Sequence, residues 1–177
     1  MYEGRLVRLR AVRDADIEAS IPWLNDLDTM RLLEGGAPVP RTLESERAWV
    51  REQGENLFAI ETQGGQFLGT CCVFSVSAQS RNCMAGWFIG DPAMRGKGYG
   101  SDMILTFLKY LFEERNMERV ALTVNGYNAG AIRLYGRLGF VREGVLRENV
   151  YTLGRFHDEY VYAMLRREYD ALYGGTD

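Results

Sequence analysis

Arg95-Gly96-Lys97-Gly98-Tyr99-Gly100 runs directly into residues 99–115, where Met103, Ile104, Phe107, Leu108, Leu111 and Phe112 recur at three- and four-residue spacing. That spacing predicts an amphipathic helix, the clearest in the chain, with the three glycines at its start. Immediately upstream, Leu57–Thr62, Phe67–Ser77 and Asn82–Ile89 read as strands joined by Gly64-Gly65 and by the polar turn around Gln79-Ser80. An antiparallel meander therefore leads into the glycine turn and its helix.

Farther from this centre the pattern stays mixed. Leu6-Val7-Arg8-Leu9-Arg10 alternates in part between apolar and basic residues, as a half-buried strand does, and Asp14 or Asp16 is placed to cap a helix reaching Trp23. A Gly/Pro-rich stretch, residues 35–40, reads as a loop, and residues 44–53 read as a second helix behind the imperfect cap Thr42/Ser45. Downstream, residues 120–124 form a short apolar strand, and residues 129–138 a helix closed by Gly139. Residues 140–146 and 156–165 are two further strands before a charged tail, and residues 174–177 read as a frayed end. The expected class is α+β: a mixed sheet of about seven strands with helices on its faces.

The chain has 177 residues, 46% of them hydrophobic, and a net charge of −3. At this size a chain buries about 70% of its unfolded surface, so a single self-sufficient domain, residues 1–177, is expected without disulfide or metal. Lys and Arg are dispersed rather than gathered into a block, which argues against a nucleic-acid partner. Cys71, Cys72 and Cys83 are odd in number, and the adjacent pair would face opposite sides of a strand, so no zinc or disulfide framework is read. The N-terminal residues lack an apolar h-region, and no apolar run approaches ~20 residues, so a cytoplasmic protein with no membrane partner is expected.

A helix start exposes unpaired N–H groups and the positive end of a dipole, and Gly96, Gly98 and Gly100 let those amides approach a phosphate without a Cβ between. Arg95 and Lys97 add positive charge beside them. A dinucleotide turn would be Gly-x-Gly-x-x-Gly after the first strand of a βαβ unit; here the third Gly comes one residue early and the preceding strands are antiparallel. A P-loop needs Ser or Thr after its Lys, and Gly98 follows Lys97. Read alone, the turn leaves open a plain loop needing positive φ.

Taken with Asn128-Ala129-Gly130-Ala131-Ile132-Arg133-Leu134-Tyr135, Leu138-Gly139-Phe140, Glu143-Gly144 and Gly154-Arg155-Phe156-His157-Asp158, the turn resembles the GNAT superfamily of acetyltransferases. The cofactor turn of that superfamily reads Gln/Arg-x-x-Gly-x-Gly/Ala, and Arg95, Gly98 and Gly100 fill its defined positions. Residues 82–165 look particularly like the branch holding ribosomal-protein N-terminal acetyltransferases and spermidine acetyltransferases. The resemblance implies a splayed sheet, in which the strand ending at Ile89 and that of residues 120–124 diverge to admit the pantetheine arm. It further implies acetyl-CoA as cofactor, with Arg95, Gly96, Lys97, Gly98, Tyr99 and Gly100 at the pyrophosphate and backbone near Phe88, Ile89 and Gly90 along the arm.

Acetyl transfer to an amine needs a neutral amine, a donor for the oxyanion, and a proton for the departing thiolate. The family pattern places Tyr135 as the acid, and a phenol of pKa ~10 matches a thiolate in basicity. On its spacing from Ile132 alone Tyr135 reads as packing on the buried face of its helix, and its seven-residue spacing from Asn128 reverses that reading. Asn128, seven residues earlier and so on the same side, either caps that helix or contacts pantetheine. A related branch carries Glu five residues before this Asn; Thr123 stands there, leaving the base unassigned, with Glu34 a candidate. His157 and the cysteines receive no catalytic role. The expected activity is transfer of acetyl to a primary amine, a protein N-terminus, polyamine or other small amine, by direct attack. A non-catalytic acyl-CoA-binding regulatory domain is the alternative, and a homo-oligomer is compatible with either.

Overall fold

A computed structural model describes residues 1–175. Its elements, in order, are β1 (Tyr2–Glu3), β2 (Val7–Arg10), α1 (Asp14–Leu24), α2 (Leu27–Leu33), α3 (Leu43–Gln53), β3 (Leu57–Thr62), β4 (Phe67–Ser77), β5 (Asn82–Ile89), α4 (Tyr99–Lys109), β6 (Arg119–Asn125), α5 (Ala129–Arg137), β7 (Val141–Thr152), β8 (Arg155–Leu165) and α6 (Arg166–Tyr173). The strands are hydrogen-bonded in the order β1-β2-β3-β4-β5-β6-β8-β7. The α+β expectation is met with eight strands rather than seven, because Tyr2–Glu3, too short to show alternation, pairs antiparallel with β2. The chain forms two compact units: residues 1–73 with 86–107, and residues 74–85 with 108–177.

In the first unit, β2, β3 and β4 pair antiparallel, with a bulge where Ile60 and Glu61 face Gly69 and Phe67. Val7, Leu9, Ile60, Leu68, Met103, Ile104 and Phe107 are fully or almost fully buried, and Phe58 meets Phe107 edge to face at 5.7 Å. Thr42 caps α3 as its spacing suggested: Ser45 N–H donates to Thr42 Oγ1 at 3.1 Å and Thr42 N–H to Ser45 Oγ at 3.0 Å. Asp16, not Asp14, serves the start of α1, accepting from Arg13 N–H at 2.8 Å. Within residues 26–40, α2 lies where no helix was expected; its signal is the Asp26 carboxylate accepting from Thr29 N–H at 2.8 Å, in a helix of only seven residues. The strand β2 is less simply half-buried than its alternation implies, since Arg10 is buried by Asp16 of α1 and Glu61 of β3.

In the second unit, β6 pairs antiparallel with β8, and β8 with β7, the last with two register shifts. The ladder of β5 with β6 is parallel and three residues long: Asn82, Cys83 and Met84 face Arg119, Val120 and Ala121. Helical periodicity predicts α-helix to residue 115, but the α-helix ends at Lys109. A π turn follows at Tyr110–Glu114, with Arg115 N–H donating to Tyr110 C=O. The wider turn keeps the adjacent residues Leu111 and Phe112 both fully buried. The charged tail forms α6, capped by Glu168 accepting from Leu165 N–H at 2.9 Å and held by Tyr169 stacked on Phe112 at 4.8 Å. The expectation of a frayed end at residues 174–177 falls in part on Thr176 and Asp177, which lie outside the described residues.

Candidate active site

The glycine turn lies in the first unit between a short 3-10 turn, Pro92–Met94, and the start of α4. Residues 95–98 are exposed, with φ +73° at Gly96 and +92° at Gly98, a backbone only glycine adopts without strain. The first intrahelical bond of α4 runs from Asp102 N–H to Gly98 C=O at 3.0 Å, so the amides before Asp102 have no carbonyl acceptor within the helix. Lys97 stands exposed beside them. An exposed, glycine-shaped helix start with an adjacent cation fits a diphosphate.

Arg95 does something the motif does not predict. Its Nε donates to Ile89 C=O at 3.1 Å, and one terminal nitrogen donates to Gly90 C=O and to Thr29 Oγ1, both at 3.1 Å. The guanidinium therefore ties the turn to the end of β5 and to α2. At that strand end, Gly90 N–H donates to Leu68 C=O at 2.8 Å, and Phe88 C=O also faces β4, at Gly69. Strand alternation then directs the amide of Ile89 away from β4, to the opposite edge. The start of α4 is fixed as well, for Asp102 accepts from the backbone N–H groups of Arg5, Leu6 and Val7 at 3.1, 2.7 and 3.0 Å.

Asn128 and Tyr135 lie in the second unit. Asn128 Oδ1 accepts from Ala131 N–H at 3.1 Å, the capping arrangement of its two readings. Tyr135 is buried, its ring 5.8 Å from Phe140 and 6.1 Å from Tyr162. His157 packs edge to face on Tyr127 at 4.8 Å, as a structural histidine does. Burial pushes the Cys71 thiol well up and the Cys72 and Cys83 thiols up to about 11, so none is a ready thiolate near neutrality. The Glu34 carboxylate is 2.5 Å from Arg41 in an exposed ion pair.

Sequence reasoning passed over Glu46. It lies in the first turn of α3, is 9% exposed, and lines a small cavity with Val12, Asp16, Ser20, Thr70 and Phe88. Burial, and secondarily the charge of Glu34, holds its carboxyl above the usual glutamate range, against the opposing pull of Arg41. A signal was present: Glu46 falls on one helical stripe with Leu43 and Val50.

A family model for the acetyltransferase (GNAT) domain matches residues 6–141. The chain is 30% identical to the SPbeta prophage-derived uncharacterized N-acetyltransferase YokL of Bacillus subtilis, over 98% of this chain and 97% of that one. It is 28% identical to the spermidine N(1)-acetyltransferase of Vibrio cholerae, over 68% and 69% of the two chains. The crystal structure of the Vibrio cholerae spermidine N-acetyltransferase in complex with CoA and spermine has the same fold. Its TM-score is 0.84 at 23% identity, covering 92% of this chain and 97% of that one. Among the described residues no helix is long and apolar enough to cross a membrane.

Proposed function

Because this chain belongs to the GNAT family of acetyl-CoA-dependent N-acetyltransferases, we propose that it moves an acetyl group from acetyl-CoA to a primary amine. The acceptor is a protein N-terminus, a polyamine or another small amine, and it attacks the thioester directly. The whole chain acts as one catalytic domain. The observation that carries this reading is the turn of residues 95–100 at the start of α4, exposed over residues 95–98.

Acetyl-CoA supplies an activated acyl group on a thiolate leaving group. Lys97 and the amides of Gly96, Gly98, Tyr99 and Gly100 hold its diphosphate by charge and by the helix dipole. Arg95 acts at one remove, fixing the turn to β5 through the carbonyls of Ile89 and Gly90. The strand end Phe88, Ile89 and Gly90 lines the pantetheine arm, and the Ile89 N–H, directed away from β4, is the group that hydrogen-bonds it. Asn128 orients the start of α5, on the same side of the helix as Tyr135, and contacts the arm there. Tyr135 donates the proton taken up by the departing sulfur.

Release of CoA thiol from acetyl-CoA in the presence of peptides, polyamines and aminosugars tests the reading; at least one amine class is expected to raise release above background. Acetyl-CoA binding with no productive amine would instead mark a non-catalytic acyl-CoA-binding domain, and no binding would remove both. Tyr135→Phe keeps the ring between Phe140 and Tyr162 and removes only the hydroxyl. Turnover is expected to fall about 10²- to 10³-fold with CoA affinity nearly intact; unchanged turnover would show that Tyr135 only packs.

A further inference from the structure

A carboxylate inside a small domain is ordinarily paired, because burying an unpaired charge costs stability. Glu46 is nine-tenths buried with its carboxylate oxygens still open to solvent, and no hydrogen bond or ion pair reaches them among the described residues. Its surroundings are otherwise satisfied. Asp16, which lines the same cavity from α1, is held by both terminal nitrogens of Arg10 at 2.6 and 2.9 Å, and Ser20 Oγ donates to Ile17 C=O at 2.8 Å. Arg41, ahead of α3, is occupied by Glu34 at the end of α2. The walls from β4 and β5, Phe67, Thr70 and Phe88, carry no charge. The cavity offers about 10 Å³ to a water, room for a single molecule.

Phe88 belongs both to this cavity and to the strand segment proposed above to receive the acyl donor. We propose that Glu46 is the general base of acetyl transfer, taking a proton from the acceptor ammonium through one water in the cavity at Phe88. The assignment rests on the reading of Phe88, Ile89 and Gly90 as the track of the acyl donor.

The ammonium gives a proton to the water as the water gives one to Glu46. The freed nitrogen lone pair bonds to the thioester carbon, and the C–S bond breaks as sulfur takes a proton from Tyr135. Tyr135 recovers that proton from the nitrogen, Glu46 loses its own to solvent, and the products are amide, CoA thiol and one proton. A carboxyl held above the usual range by burial is better matched to this work near neutrality than an exposed one.

The test is Glu46→Gln, assayed by CoA release from about pH 5 to about pH 10 with one strongly and one weakly basic primary amine, beside acetyl-CoA binding by calorimetry. Near pH 7, kcat/KM with the strongly basic amine is expected to fall about 10²- to 10³-fold. The weakly basic amine, already neutral, should lose about tenfold or less, acetyl-CoA affinity should not change, and the rising limb of the profile should move to the pKa of the amine. Thermal stability should hold or rise, because a buried charge is gone. A variant that tracks the wild type across pH with both amines overturns the assignment. If the wild type binds acetyl-CoA but acetylates neither amine, the proposed function itself fails, and the base with it. Should the variant fail to fold, the wild-type profile decides: a rising limb at one pH for both amines supports Glu46, and a limb that follows the basicity of each amine overturns it.

Discussion

Gly69→Ala is expected to lower the melting temperature by about 10 °C and to weaken acetyl-CoA binding with it. The glycine has φ +152°, and a Cβ there would lie 2.1 Å from Phe88 O, 3.1 Å from Phe88 C and 3.3 Å from Gly90 N. Each of these is backbone, so no flexible side chain can yield; β5 has to shift or β4 has to twist. β5 is pinned at that point by Gly90 N–H to Leu68 C=O and by Arg95 on the Ile89 and Gly90 carbonyls. Overpacking and backbone strain together cost about 3–5 kcal/mol, and in a chain of this size each kcal/mol moves the midpoint by about 2–4 °C. Gly65→Ala is the control: its φ is +88° but no atom lies within 4 Å of the added methyl, so only strain, about 1 kcal/mol, is expected. A Gly69→Ala midpoint within about 2 °C of the wild type, on the same scale, would refute the close approach.

That position marks the line between what the sequence makes legible and what it does not. The strands β3, β4 and β5 are readable to the residue, because Gly64-Gly65 and Gln79-Ser80 bound them and β-branched and apolar residues fill them. The glycine turn is legible for the same reason: a backbone requirement is written in residue type. Short elements are not, since β1 spans two residues and α2 seven, too few for a period to show. The buried charges are hidden more deeply. Arg10 reads as the polar face of a strand, and Glu46, although on one stripe with Leu43 and Val50, is a charged residue in a helix rich in them. Only the packing of α1 over both makes them interior, and that is a tertiary fact.

Arg10→Met is the second large effect, with an expected loss of about 3–5 kcal/mol at neutral pH, because it takes from two buried carboxylates their closest cation and leaves Glu61 only Arg8 and Arg13, each at 3.7 Å. Arg10 is 6% exposed, and holds Glu61 Oε2 through Nε at 2.6 Å while its terminal nitrogens grip Asp16. In the wild type, burial would raise the Asp16 carboxyl, but the hydrogen bonds and charge of Arg10, with Arg13 N–H, bring it below the usual aspartate range. A depressed folded pKa contributes stability that is present above the unfolded value, about 4, and is lost as pH falls through the folded value. The wild type should therefore lose this contribution only below about pH 4. In Arg10→Met the sign reverses: two like charges side by side favour protonation, so the variant should gain stability as pH falls from about 7 toward about 5. Melting curves of the two proteins against pH should accordingly converge on the acid side, and parallel curves from about pH 4 to about pH 8 would show that Arg10 contributes packing alone. The pairing also keeps the cavity at Glu46 to one unpaired carboxylate. Releasing Asp16 from Arg10 would put a second proton acceptor beside the same water, so the variant should also blur the rising limb of the activity profile, an effect a purely structural arginine would not produce.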